Sequence, residues 1–207
     1  MFVRHGATEW NLSRRAQGQA DVTLTDEGRA QAERTAGLLA SETVDAIYSS
    51  DLSRALETAR PIAEVHGLEV TQDPAFREID QGEWTGLPLD EIEARWPELW
   101  QGGLGKDLAR RPHGESPAQV RERALAALRP IVEAHPHGTV VVVSHGGAIR
   151  WVVAEALGYR GADIARLRGM ANGGVIALEA VATEGSLVLR QVERMDGAPP
   201  DLDDPNA

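Results

Sequence analysis

Cysteine is absent from the 207 residues, which rules out disulfides and thiolate chemistry and fits the cytoplasm as the expected location. Long apolar runs are missing as well. Val140–Val143 and Trp151–Leu157 are the longest, and Ser144, His145, Arg150 and Glu155 interrupt them, so no membrane span is expected. Nor does a basic segment followed by an apolar one precede Arg4-His5, so no signal peptide is expected. Excess positive charge is also lacking. The formal net charge of −11 excludes the broad basic surface that holds a nucleic-acid backbone. What remains, with 42% hydrophobic and 26% charged residues, is ordinary for a globular chain of one sizeable domain.

Two short segments stand out. Arg4-His5-Gly6 follows Phe2-Val3, and Ser144-His145-Gly146-Gly147 follows Val140-Val141-Val142-Val143. In each, a β-branched or aromatic run stops and a glycine frees the backbone. Either histidine alone is as well explained by a turn. The two together, with nearby arginines, suggest an imidazole that takes a phosphoryl group. Phe2-Val3 is short for a strand ending in such a residue, so either Met1 joins that strand or translation starts further upstream.

The chain between these segments reads as alternating strands and helices. Ala7–Val22 is expected to be a polar loop. Thr25 caps a helix to about Ala40, with Asp26 and Glu27 complementing its positive end. Val44–Tyr48 reads as a strand ending in Ser49-Ser50-Asp51. A helix follows from about Ser53 to His66, closed by Gly67, with Pro61 expected to bend it or break an early turn. Leu68–Thr71 is a third strand. From about 76 to 115 the texture shifts to Gly, Pro and Trp with short helical pieces such as Leu89–Trp96, the pattern of a cap inserted over the core. Ser116-Pro117-Ala118-Gln119 is a capping box opening a helix to about Ala134. A strand over Thr139–Ser144 and a helix over Ala148–Leu157 follow, then a hairpin of Gly174–Val181 and Ser186–Val192 turning at Thr183-Glu184-Gly185. The acidic tail 196–207 is expected to be disordered. The prediction is one α/β domain over 1–195, a three-layer α/β/α sandwich with a mixed, mostly parallel sheet.

In such sheets ligands bind beyond the carboxyl ends of the strands. That rule gathers Arg4-His5-Gly6, Ser49–Arg54 and Ser144–Gly146 on one edge, facing helix starts at Ser53 and Ala148 whose N–H groups suit an oxyanion. Arginine forks match phosphate oxygens. His5 is the expected nucleophile, since the loop after it can wrap a substrate. Neighbouring arginines would keep it neutral. His145 is the expected donor to the transferring oxygens, and Glu78, in Arg77-Glu78-Ile79-Asp80, the acid for the leaving group.

These residues resemble the histidine phosphatase superfamily in its phosphoglycerate mutase-like branch. The resemblance runs through Arg4–Asn11, Gln17-Gly18, Leu24–Gly28, Ser49–Ala55, Glu78, Gly82–Gly86, Gly114-Glu115-Ser116 and Ser144–Gly147, covering the chain to about Leu178. It implies that His5 becomes phosphorylated, that Arg4, Arg54 and His145 hold the phosphoryl group with Asn11 assisting, and that Glu78 donates the proton. It also implies no metal or other cofactor and, on family grounds alone, a homodimer. Gly18 and Gly146 border the same site. Two features depart from the pattern, namely the abbreviated first strand and Ala7, where the family often has glutamate.

Other candidates read more plainly. Asp21 and Asp51 lack partners at metal-ligand spacing and read as turn or cap residues. Trp84, Trp96 and Trp100 read as cap packing before a substrate-binding wall. His113 is expected at the surface, and His66, His135 and His137 lie near helix ends. Gln17 ranks first for contact with a substrate beyond its phosphate.

Three functions fit: a phosphatase acting on small-molecule phosphomonoesters, a phosphoglycerate mutase, or a silent phosphate-binding protein. The mutases of this branch resemble one another in a longer insertion after the acid and a basic closing tail. Here only 82–113 intervenes and the tail is acidic, so water would reach a phosphohistidine. The phosphatase is therefore favoured, and the presence of both His5 and Glu78 disfavours the silent protein. Relatives act on phosphorylated sugars and sugar acids, on α-ribazole phosphate, or loosely on many monoesters. The residues between Glu83 and Pro112 would decide among these.

Overall fold

Six strands form a single mixed sheet in the order β3-β2-β4-β1-β5-β6. The computed structural model describes residues 1–100, 111–160, 164, 167, 169–183 and 186–195, with 191–194 by backbone alone. The strands are β1 (Phe2–Arg4), β2 (Ala46–Ser49), β3 (Val70–Gln72), β4 (Val140–Ser144), β5 (Val175–Thr183) and β6 (Ser186–Arg194). β3, β2, β4 and β1 run parallel, while β5 is antiparallel to both β1 and β6. Helices α1 (Glu9–Leu12), α2 (Asp26–Leu39), α3 (Ser53–His66), α4 (Leu89–Arg95), α5 (Pro117–Ala134) and α6 (Gly146–Ala156) connect them. Among the described residues, no helix is long and apolar enough to cross a membrane.

The side-chain alternation of the strands sorts the core into two layers. Val3, Ile47, Val141 and Val143 point to one face and pack with Ala36 and Leu39 of α2 and with Ala55, Ala59 and Ile62 of α3. Phe2 and Val142 point to the other and meet Val120, Ala124 and Leu128 of α5 and Ile149 and Val152 of α6. This is the three-layer arrangement that the alternation of strands and helices predicts. β4, apolar on both sides, lies third in the sheet between β2 and β1, where both faces are covered.

Local rules place most boundaries. Thr25 caps α2 through the Gly28 N–H, and Ser116 and Gln119 form a reciprocal capping box on α5 with Pro117 in its first turn. Gly67 adopts φ 64° after α3, as a left-handed C-terminal cap requires. Met1 extends the first ladder, its carbonyl accepting from the Val142 N–H at 2.8 Å.

Three expectations need correction. The loop after His5 contains α1, because Thr8 and Asn11 form a capping box that closes one helical turn. Pro61 lies inside α3 without breaking a turn, since the helix runs unbroken from Ser53 to His66. α6 begins at Gly146, two residues earlier than the apolar pattern suggests, with His145 as its N-cap residue.

Beside the sheet edge, Trp84 is fully buried with its ring centroid 6.2 Å from those of Trp96 and Trp100, and Ala16 and Ile92 complete the cluster. Residues 101–110, the Glu184-Gly185 turn and the acidic tail 196–207 fall outside the described residues.

Candidate active site

Sheet register brings the two histidines together. Arg4 pairs with Ser144 in the parallel β1/β4 ladder, so the next residues, His5 and His145, leave adjacent strands side by side. Their ring centroids are 5.1 Å apart, close to the interstrand spacing. Ser49 pairs with Val143 on the other side of β4, which brings Ser50 within reach; its Oγ lies 2.8 Å from His145 Nε2. α3 starts at Ser53 just beyond, and Arg54 in its first turn is completely buried.

The His5 ring has a defined orientation. Its Nδ1 lies 2.7 Å from the Gly6 carbonyl, an acceptor only, so Nδ1 carries the hydrogen and Nε2 keeps its lone pair. Burial lowers the pKa of His5 well below the ordinary histidine value, and the charges of Arg54 and Arg4 lower it further, against the Gly6 bond. Burial thus outweighs the arginines that sequence reasoning had credited. His145 is lowered likewise, by burial first and then by Arg54, His5, Arg123 and Arg4. Its Nδ1 is buried without a hydrogen-bond partner among the described residues.

Backbone carbonyls hold both guanidiniums. Arg54 donates from Nη1 to Ala20 O and from Nη2 to Gly18 O, each at 2.7 Å, leaving its buried Nε without an acceptor. Burial lowers its pKa to about 10, still far above neutrality. Arg4 donates from Nη1 to Met170 O and lies against Gly146, where a Cβ would stand 3.4 Å from its Cζ. Glycine at 146 thus gives Arg4 its place.

The helix starts expected to offer N–H groups to an anion are occupied by carboxylates instead. Asp21 accepts from Ser53 N at 2.7 Å and from Ser53 Oγ at 2.8 Å, capping α3. Glu78 accepts from Gly147 N at 3.0 Å and Ala148 N at 3.2 Å on α6, and from Ile79 N at 2.8 Å. The charge that would bind a phosphate therefore resides in side chains. Asp51 pairs with Arg77 through two hydrogen bonds, which is an ion pair and not a cap.

Arg4, His5, Asn11, Gln17, Gly18, Arg54, Glu78 and Gly146 all line one cavity of about 760 Å³. His145 packs beside the His5 ring, is fully buried and is not part of that lining. Gln17 Oε1 accepts from Thr8 Oγ1 at 2.9 Å, which leaves its amide group as a donor. Asn11 serves the α1 capping box from the same loop. Trp100 reaches the cavity wall, whereas Trp84 and Trp96 do not. His113 is exposed beside Glu83.

Sequence reasoning missed several supports. Asn172 Nδ2 donates to His5 O at 2.9 Å, and Thr58 Oγ1 accepts from Gly6 N at 3.0 Å. Arg123 on α5 donates to the carbonyls of Ala75, Arg77 and Glu78 and to both oxygens of Glu115. Glu115 in turn accepts from Asp80 N at 2.9 Å. Burial raises the Glu115 pKa, but Arg123 and the Asp80 N–H outweigh it and leave the carboxyl below its ordinary value. Arg123 and Glu115 therefore fix the loop that carries Glu78. The one available hint was Gly114-Glu115-Ser116, a motif whose glutamate had no assigned contact.

The chain resembles several known proteins. The chain is 42% identical over 160 residues to phosphoglycerate mutase-like protein 4 of Arabidopsis thaliana, covering 75% of this chain and 70% of that protein. It is 37% identical over 169 residues to a probable phosphoglycerate mutase of Yersinia pestis (strain Pestoides F), covering 81% and 78%. The structure of a mycobacterial glucosyl-3-phosphoglycerate phosphatase complexed with VO3 superimposes with a TM-score of 0.81 at 33% identity, covering 91% of this chain and 94% of that one. With the family model for branch 1 matching residues 1–193, the chain belongs to the histidine phosphatase superfamily.

Proposed function

We propose that the protein hydrolyses small-molecule phosphomonoesters through a phosphohistidine on His5, with Glu78 as proton donor. The observation that carries this reading is the His5 ring itself. It is neutral, fixed by Gly6 O so that Nε2 holds the lone pair, and borders a cavity shared with Arg4, Arg54 and Glu78.

In the first step the Nε2 lone pair attacks phosphorus in line with the ester oxygen. The P–O bond breaks, and the Glu78 carboxyl gives its proton to the departing alkoxide. Arg4 and Arg54 stabilise the charge on the equatorial oxygens, the buried His145 ring supports them from beside His5, and the Asn11 and Gln17 amides border the ester group. In the second step the Glu78 carboxylate takes a proton from water as that water attacks phosphorus. The N–P bond breaks, its electron pair returns to Nε2, and inorganic phosphate leaves. No metal or other cofactor enters this scheme. The segment 76–115 is the inserted cap of a single domain in this reading.

A phosphoglycerate mutase is the second reading, favoured by the likeness to the probable phosphoglycerate mutase of Yersinia pestis. Hydrolysis is preferred because the short insertion and acidic tail suit a phosphohistidine open to water. A panel of phosphomonoesters scored by kcat/KM tests the choice, with 3-phosphoglycerate, glucosyl-3-phosphoglycerate and α-ribazole phosphate included. Stoichiometric release of alcohol and phosphate supports the phosphatase. Isomerisation of phosphoglycerate dependent on 2,3-bisphosphoglycerate supports the mutase.

A further inference from the structure

The described residues around the cavity carry more positive charge than one phosphoryl group requires. Its described lining holds Arg4, Arg14, Arg15, Arg54, Arg111 and Arg150 beside the acidic residues Glu78 and Glu93, in a chain whose formal net charge is −11. Most of these guanidiniums have other contacts. Arg15 donates to Gly86 O at 2.8 Å, and Arg111 donates to Gln81 Oε1 at 3.0 Å while lying 4.8 Å over the Trp84 ring. Arg150 has no carboxylate partner among the described residues, and its contact is a single backbone carbonyl.

Arg150 lies on α6, one turn beyond Gly146 and Gly147 and on the same side of the helix, since residues three and four apart share a face. Gly147 holds the Glu78 carboxylate, so Arg150 stands about 5.4 Å further along the axis from the proposed chemistry. Its Nη2 donates to Ile164 O at 3.0 Å; its Nε is buried with no acceptor, and no carboxylate pairs with it among the described residues. Burial lowers its pKa from the ordinary arginine value, the direction for a cation short of compensation. A single carbonyl bond does not require a charge, and a half-buried cation without an anion is desolvated at some cost to the fold. An anion arriving with the substrate would supply the missing compensation.

We infer that Arg150 binds a second anionic group of the substrate, so that the preferred substrates are phosphomonoesters that also carry a carboxylate or another phosphate. The inference rests on the proposed phosphatase reading of the same cavity and adds a specificity-determining residue to it.

Two matched substrate pairs test it and separate the two sources of charge. 3-Phosphoglycerate and glycerol 3-phosphate differ by a carboxylate; fructose 1,6-bisphosphate and fructose 6-phosphate differ by a phosphate. The protein is expected to prefer the more anionic member of at least one pair. Arg150→Met should lower that kcat/KM ratio by roughly tenfold to a hundredfold, the range of a charge-assisted hydrogen bond. Arg150→Lys should keep most of the preference. The melting temperature of Arg150→Met should stay level or rise, since an unpaired, half-buried cation has been removed. An absent preference, an unchanged ratio, or an equal loss on both members with a lowered melting temperature overturns the inference.

If neither these esters nor p-nitrophenyl phosphate is hydrolysed, the phosphatase reading fails separately. Calorimetric binding of 3-phosphoglycerate and glycerol 3-phosphate then decides the subsite. Tighter binding of the acid that Arg150→Met abolishes supports it, and equal binding overturns it.

Discussion

Gly6 and Gly28 meet backbone to backbone. A Cβ on Gly6 would stand 2.2 Å from the Gly28 carbonyl oxygen, and a Cβ on Gly28 would stand 2.1 Å from the Ala7 carbonyl oxygen. The loop leaving His5 is thus laid directly on the first turn of α2, where Thr25 N also donates to Ala7 O at 2.9 Å. Both obstacles are main-chain atoms, which no change of rotamer relieves.

Gly28→Ala should therefore destabilise the protein by about 1–3 kcal/mol, the usual cost of overpacking a well-filled site. It should also reduce activity, because the displaced strand of loop carries His5. Denaturant unfolding combined with kcat/KM on one substrate checks this. Gly37→Ala is the control, since nothing lies within 4 Å of its Cβ position.

Gly147→Ala should act through the proposed acid. Its Cβ would come 2.3 Å from Glu78 Oε1, so the carboxylate must leave its place on α6. Rate should fall by roughly 10²–10⁴ on alkyl phosphates, the range of a lost acid catalyst, and far less on 2,4-dinitrophenyl phosphate, whose leaving group needs no proton. Equal losses on both substrates would show that the change disturbs something other than proton donation.

Arg123→Gln should show the same leaving-group dependence at smaller size. Arg123 does not line the cavity but holds the carbonyls of Ala75, Arg77 and Glu78, so it acts as a positioning residue for Glu78. A loss about tenfold greater on alkyl than on dinitrophenyl esters is expected. A purely structural role would lower both alike.

Stability should depend on pH through the two buried imidazoles. His5 and His145 stay neutral in the fold with pKa values well below 6.5, whereas the unfolded chain restores that ordinary value. Below 6.5 the unfolded state therefore binds more protons, and stability is lost as pH falls from there towards the folded values. Each histidine contributes a slope of about 1.4 kcal/mol per pH unit within that window. Asp51 and Glu115, whose pKa values are lowered from 3.8 and 4.5, add loss of the same sign only at lower pH. Unfolding midpoints between pH 7.5 and 5 should decline accordingly, and a flat profile would mean that one or both rings are already charged in the fold.

The sequence revealed what local rules and strand topology govern. β-Branched runs marked the strands, Ser116 and Thr25 marked helix starts, and the strand-end rule gathered positions 5, 54 and 145 correctly. It did not reveal features that depend on long-range fit. That Asp21 would cap α3, that Glu78 would settle on α6, and that Asn172 would hold the His5 carbonyl all depend on contacts spanning 32, 69 and 167 positions. α1 escaped notice for a local reason. Thr8-x-x-Asn11 closes a capping box with asparagine in place of the usual glutamate or glutamine, and its single turn has no apolar period to detect.

The most direct test follows the phosphoryl group. Protein mixed with a 32P-labelled phosphomonoester and quenched in alkali within milliseconds should carry an acid-labile, alkali-stable label. Peptide mapping should place it on the fragment containing His5, and His5→Ala should show neither label nor turnover. Label on another residue, or full turnover by His5→Ala, would contradict the account.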